Sequence, residues 1–420
     1  MATRKMQTVL ICLAVFVLVY FEQIRIGPIK LSLWKLPVIS FLTYFSLKGS
    51  PSKNGLFLVA LLLAGKLLLN EFMFFGGTET INEAMYVMIL PVTFNYFREK
   101  YSGRPNSVRN ILVITAIMFL LSALPFIMNL IPQSRLLSID EGEEASGKAL
   151  TGIFYHMATS SKVFVIATVV ILFNKEFFTS TKKTWMWYLL IAYGCYCVFS
   201  AFTRTGWLLL LTGFIIYLYQ TIHISKFLLF ISAAAIILSL TYVSIIASVD
   251  RDSAFYKRVI GESKHTTNDE LDANKLSSGR FKIYKSSING VVDEGITAIL
   301  FGIGKDYSIR KNRIAIGSGY IAHNRFIEIF CYGGIIALVI FMIYIIKLGR
   351  MIFKLDDRNK SKKLLICLFL LLVITYIPSH GFPMYSDFLF GIALAAGYIE
   401  YTSKKRATIS NMGTKRSSIV

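Results

Sequence analysis

Charge is scarce in this sequence. Only 16% of its 420 residues are Asp, Glu, Lys or Arg, while 55% are hydrophobic and the mean hydropathy is +0.59. Water-soluble chains carry about a quarter charged residues, so this one lacks the polar surface to cover a globule of its size. Carboxylates are especially few, 24 against 45 Lys and Arg. Cysteine is sparse too. The five, at 12, 195, 197, 331 and 367, all fall inside apolar runs without a loop partner at disulfide or metal spacing. Neither a disulfide framework nor a zinc site is expected. There is no internal repeat, nucleotide-binding loop or low-complexity tract.

What is present is apolar bulk. With 33 Phe, 22 Tyr and long Leu/Ile/Val runs, the chain has the opposite of the signature of disorder. The class that remains is an all-α polytopic membrane protein. In such a chain the formal charge of +21 is a matter of membrane sidedness, not a nucleic-acid footprint.

A helix crossing a ~30 Å hydrocarbon core needs about 20 mostly apolar residues. Twelve spans satisfy that measure, at 7–21, 31–47, 55–75, 80–97, 110–131, 151–173, 185–202, 206–222, 227–247, 325–347, 364–380 and 384–401. Arg4 and Lys5 before the first run resemble a signal peptide, but Phe21-Glu22-Gln23 is no small-residue cleavage site, so it is kept as a helix. Trp185 to Ile222 as one helix would be about 57 Å long, twice what a bilayer needs. It is predicted to fold back at Thr203-Arg204-Thr205-Gly206.

Basic residues of the short loops set the orientation. Lys48/Lys53, Arg98 to Arg109, Lys175 to Lys183, Arg350 to Lys363 and Lys404-Lys405-Arg406 all fall on one side, with Arg4/Lys5. That side is read as cytoplasmic, with both termini. The expected division is nine spans in 1–247, a large external loop at 248–322, three more spans in 323–402 and a solvated cytoplasmic tail at 403–420.

The external loop is too long to be structureless in a compact protein and is predicted to be a small helical cap. Its charges segregate. Residues 250–275 carry five basic and six acidic side chains, a net of −1, whereas 280–325 carry eight basic and three acidic, a net of +5. A cationic surface at the membrane face suits an anionic ligand with an apolar anchor, such as a lipid-linked pyrophosphate.

Three residues are candidates for chemistry. Arg204 sits at the tip of an apolar hairpin, where a guanidinium fork can bind phosphate bidentately; the competing reading is an Arg that snorkels to end the span. Arg280 follows Ser278-Gly279, where glycine permits close backbone approach to a ligand, although an Arg in a basic loop is often simply solvated. His323, one of five histidines, stands where the loop re-enters the membrane. Cationic neighbours, Arg325 among them, favour the neutral imidazole that can accept a proton; the alternative is a polar cap on the following helix. His380, in Pro378-Ser379-His380-Gly381, is a weaker candidate. Lys66 and Lys162 lie inside spans and are read as bundle-interior contacts. Cys195-x-Cys197 is read as packing, and Gly302-Ile303-Gly304 as a turn.

These features together resemble the O-antigen polymerase and O-antigen ligase superfamily. Phe202-Thr203-Arg204-Thr205-Gly206-Trp207-Leu208 is similar to its Arg-x-x-x-Leu hairpin element, and Ser278-Gly279-Arg280 resembles its loop Arg motif. His323-Asn324 followed by Gly333-Gly334 is similar to the ligase His-Asn element, with Ala337 where a further glycine often stands. The resemblance is strong from about 185 to 345 and only topological before that. It implies a GT-C-like bundle of about twelve transmembrane helices with one large periplasmic loop, multi-pass in the bacterial inner membrane.

The implied enzyme is a metal-independent glycosyltransferase without cofactor. It would join undecaprenyl-pyrophosphate-linked oligosaccharides, as donor and acceptor, at the periplasmic face. Arg204, Arg280 and His323 become the catalytic candidates, and Asn324, Arg325, Tyr284 and Arg258 candidate substrate contacts. Membrane lipids and a chain-length regulator protein are implied partners, and no nucleic acid. Polymerization of O-antigen or capsular repeat units is favoured. Ligation to lipid A–core is the alternative, and a repeat-unit flippase ranks lower because the chain lacks repeated halves.

Overall fold

The apolar runs fold as α-helices, in which each segment satisfies its own backbone groups. The computed structural model describes residues 55–73, 79–130, 150–154, 157–179, 183–201, 203–222, 225–226, 280–316, 322–379 and 381–417. In order, the helices are α1 (Gly55–Met73), α2 (Glu79–Lys100), α3 (Pro105–Leu121), α4 (Leu124–Ile127), α5 (Met157–Phe173), α6 (Lys175–Thr179), α7 (Thr184–Ser200) and α8 (Arg204–Thr221). There follow α9 (Arg280–Val292), α10 (Ile296–Phe301), α11 (Lys305–Ile316), α12 (Arg325–Phe353), α13 (Lys362–Tyr376) and α14 (Met384–Ser417). A 3-10 turn, Gly152–Phe154, precedes α5, and no strand occurs among the described residues.

The expected spans at 7–21, 31–47 and 227–247 lie outside the described residues, as do Arg258 and His380. Of the described stretches, Pro105–Ile127 and Arg325–Phe353 are long and apolar enough to cross a membrane, and Gly55–Asn70 and Met157–Phe173 are shorter apolar helices. The expected turn at 203 is found: α7 ends at Ser200 and α8 begins at Arg204. The 110–131 run is shorter than expected as one helix, because the chain turns at Ser122-Ala123 before Pro125. At the other end α14 continues to Ser417, through the segment read as a tail; the Glu400–Lys404 pair, 2.9 Å apart, supports the helix across that point.

The chain divides into two compact units. The second contains α4 to α8 and the end of α3 from Ala116. Its centre is α5, buried without interruption from Ser160 to Leu172. Helix α7 approaches α5 so closely at Gly194 that a Cβ there would overlap the Thr168 hydroxyl. The Trp187 indole donates to the Ile171 carbonyl at 2.9 Å.

The first unit holds α1, α2, most of α3 and α9 to α14. Helix α2 packs between α1 and α14, and α12 packs on α1, α10 and α13. The α2–α14 contact depends on small side chains, as membrane helix interfaces do: a Cβ on Gly391 would stand 2.7 Å from the Thr93 Cβ. Arg109 ties α3 to Glu400 of α14 at 3.0 Å.

A close backbone approach joins α10 to α12. Helix α12 breaks at Gly334 (φ 70°, ψ −170°), and α10 ends at Gly302 (φ 82°). A Cβ on Gly302 would lie 2.5 Å from the Gly333 nitrogen, and one on Gly334 would lie 2.5 Å from the Phe301 nitrogen. The break frees carbonyls that must find donors. The Ile303 N–H donates to the Cys331 carbonyl at 2.8 Å, and the Asn70 amide donates to the Tyr332 carbonyl at 2.9 Å. Asn70 also donates to the Phe301 carbonyl, as does Lys66 at 3.1 Å. Lys66, read as a bundle-interior contact, is half-buried and makes this polar contact at the exposed edge of the junction.

Gly295 has a similar backbone (φ 87°), but nothing lies within 4 Å of the Cβ it lacks. Gly295→Ala should therefore cost about 1–3 kcal/mol in backbone strain alone. Gly302→Ala and Gly334→Ala should each cost about 1–3 kcal/mol more from overlap. Thermal unfolding of the three variants in detergent checks the ranking.

Candidate active site

Helix α12 opens with His323-Asn324-Arg325, and each residue is held differently. Asn324, in extended conformation, is the N-cap: its side-chain oxygen accepts the N–H groups of Phe326 at 3.0 Å and Ile327 at 3.1 Å. The capping role entertained for His323 therefore belongs to its neighbour, since Asn has a short acceptor matched to those orphan donors. His323 is half-buried and adopts φ 50°, a left-handed conformation uncommon for a residue with a Cβ. Such conformations cluster at functional positions.

Arg325 is only 4% exposed. Its guanidinium lies 2.5 Å from Glu83 of α2 and 3.7 Å from Glu328 one turn on. The second oxygen of Glu83 takes Lys305, at the head of α11, at 3.1 Å. Two carboxylates and two cations thus compensate one another inside the first unit. This places Arg325 away from solvent, and it is not the bare positive neighbour of His323 suggested by the sequence. Glu83 was missed as a site residue. The signal available was a carboxylate in an apolar run, which is costly without a partner.

Arg280 and Tyr284 lie one turn apart on α9 and reach the same target. Arg280 donates to the Pro378 carbonyl at 2.8 Å, and the Tyr284 hydroxyl meets the Ile377 carbonyl at 3.5 Å. Those carbonyls lie just past the end of α13, where helices leave acceptors unpaired. Burial pushes the Tyr284 hydroxyl above its ordinary pKa, against the opposing pull of Arg280. The last ring of α13, Tyr376, packs edge-on against Phe326, centroids 6.0 Å apart. Phe326 is three residues after His323, so α13 links the two catalytic candidates of this unit, Arg280 and His323.

Arg204 belongs to the second unit and is exposed at the first position of α8. The turn before it is tight: a Cβ on Gly206 would stand 2.7 Å from the Ser161 Cβ. The cationic field of 280–325 is weaker than its count suggests. Glu83 and Glu328 enter it from outside, and Lys311 pairs with Glu294. Exposed cations are Lys282, Lys285, Arg310 and Arg313.

Removing one partner of a buried ion pair leaves the other uncompensated, a loss of about 3–5 kcal/mol. Glu83→Ala should lower the unfolding temperature far more than Asn324→Ala, whose lost cap costs about 1 kcal/mol. Denaturation of the purified variants measures both.

No curated protein matches this chain. Residues 188–342 match a family described as O-antigen ligase, and the match includes Arg204, Arg280 and His323. Over those residues the chain is similar to the O-antigen polymerase and ligase superfamily of membrane proteins.

Proposed function

We propose that the protein is a polymerase joining undecaprenyl-pyrophosphate-linked repeat units of O-antigen or capsule at the periplasmic face of the inner membrane. The observation that carries this reading is the family match over 188–342, which falls on the three residues singled out on chemical grounds. In the proposed topology the chain crosses the membrane twelve times, both termini are cytoplasmic and 248–322 is periplasmic.

In the proposed transfer an acceptor sugar hydroxyl attacks the anomeric carbon of the donor in one inverting displacement. His323 takes the hydroxyl proton as the new C–O bond forms. The bond from the anomeric carbon to the pyrophosphate oxygen breaks, and undecaprenyl pyrophosphate leaves with both electrons. Arginine neutralizes the charge that develops on the leaving group. Arg280 and Arg204 are assigned that role, Arg204 from the family likeness and its exposed position. The left-handed backbone of His323, between the loop and a capped helix, supports a fixed imidazole. Tyr284 and the free amide nitrogen end of Asn324 are the neighbouring candidates for sugar contacts. Ligation of finished glycan to lipid A–core is the second reading, favoured by the description of the matched family.

Arg204→Ala, Arg280→Ala and His323→Ala should each abolish glycan transfer while the protein remains inserted and abundant. Arg→Lys should rescue poorly, because an ammonium cannot reproduce bidentate phosphate contact. Arg310→Ala should be nearly silent. Full activity of His323→Ala would remove the proton-acceptor role. For the reaction itself, deleting the gene should leave surface polysaccharide carrying a single repeat unit. Long chains accumulating on the lipid carrier, with none on lipid A–core, would instead identify the ligase.

Topology has its own measurement. A cysteine at Arg310 should react with an impermeant maleimide in intact spheroplasts, whereas labelling only after permeabilization would invert the orientation.

A further inference from the structure

Helix α9 has two apolar faces. Ile283, Ser287, Gly290 and Val291 face inward, against α11 and α12. Phe281, Ile288 and Val292 lie on the opposite side and are exposed, Phe281 by 55%. The stripe continues on α10, where Ile296 is 69% exposed and Leu300 and Phe301 are also open. Lys282 and Lys285 are exposed beside the stripe. An apolar stripe this long, flanked by lysines, is costly in water and marks a surface with a partner.

The setting of α10 identifies that partner. Its end is locked backbone to backbone against Gly333-Gly334, nine residues along α12 from Arg325. At ~1.5 Å per residue this is about 14 Å along a membrane helix. The polar groups of the junction are satisfied from within by Asn70, Lys66 and Ile303, the condition under which irregular backbone is tolerated at membrane depth. Beside the junction stand exposed apolar side chains of α1, Leu68 and Leu69, and of α12, Ile335 and Ile336. The outward faces of α9 and α10 therefore continue an apolar surface of membrane-crossing helices.

We propose that α9 and α10 form an elbow inserted into one leaflet. Phe281, Ile288, Val292, Ile296, Leu300 and Phe301 contact acyl chains, while Lys282 and Lys285 reach up to lipid phosphates. Lysines at the edge of such a stripe keep their stems in the apolar layer and their ammonium groups at the headgroups. The elbow anchors the helix that carries Arg280. The inference rests on the membrane reading and not on the reaction, so its test needs no activity.

A benzophenone amino acid is placed at Ile288, at Ile296 and, as control, at Arg310 in the full chain, reconstituted in nanodiscs of phosphatidylglycerol. Irradiation should add the mass of a phospholipid at 288 and 296 and not at 310. Yield should fall several-fold in phosphatidylcholine discs, which lack net charge. The Lys282→Gln/Lys285→Gln double variant should remove that dependence. Absence of lipid adducts at both positions would overturn the insertion. Adducts with another protein instead of lipid, when the same variants are irradiated in native membranes, would overturn it too. Equal yields of the unaltered chain in both discs would overturn the role of the lysines.

Discussion

A carboxylate cannot remain ionized among apolar helices unless cations come to it, and Glu83 draws two. Arg325 arrives from the head of α12 and Lys305 from the head of α11. Each attachment has a neighbour of consequence. Two residues before Arg325 is His323, and just before Lys305 is the Gly302-Ile303-Gly304 turn that seats α10 on α12. The position of the candidate proton acceptor and the seating of α10 and α11 thus depend on one side chain of α2. The same contacts explain why much of the local positive charge is not offered to a ligand.

The second constraint is the saturation of backbone groups where helices break. Gly334 interrupts α12, and α10 stops at Gly302, where buried backbone groups must find partners within the protein. The solution is mutual. One break provides carbonyls, and the other provides an N–H group and shares the Asn70 amide. Glycine is required on both sides because a Cβ on either would occupy the other's backbone. In the family likeness Gly333-Gly334 read as part of a ligase pattern. In the fold the pair makes a joint that holds α9 and α10, and with them Arg280, at the surface of α12.

Part of the site was legible because it is local. Arg204 stands out as a charge between two apolar runs, and the turn that it marks is where α7 ends and α8 begins. The cap of α12 was placed one residue early, at His323, although Asn324 stands just before the apolar run. Arg280 and Tyr284 were visible as residue types in a basic loop, but neither their place one turn apart on α9 nor their target beyond α13 was. Arg325 misled in the opposite direction. It read as a surface cation near the ligand, because the carboxylate that neutralizes it is 242 residues away.

Taken alone, the sequence determined the class, by too little charge for a soluble globule and apolar runs of bilayer length, and it supplied the basis for an expected sidedness in its basic residues and for a family likeness in an Arg–Arg–His set. These properties are sums over short windows, and hydrophobic length and charge act there without reference to the rest of the chain. Only the tertiary structure decided which charges are spent and which are offered, where α12 breaks, and what the glycines of 302, 333 and 334 are for. Ion pairing and backbone contact act over a few ångströms between residues hundreds of positions apart, and no local pattern encodes that proximity.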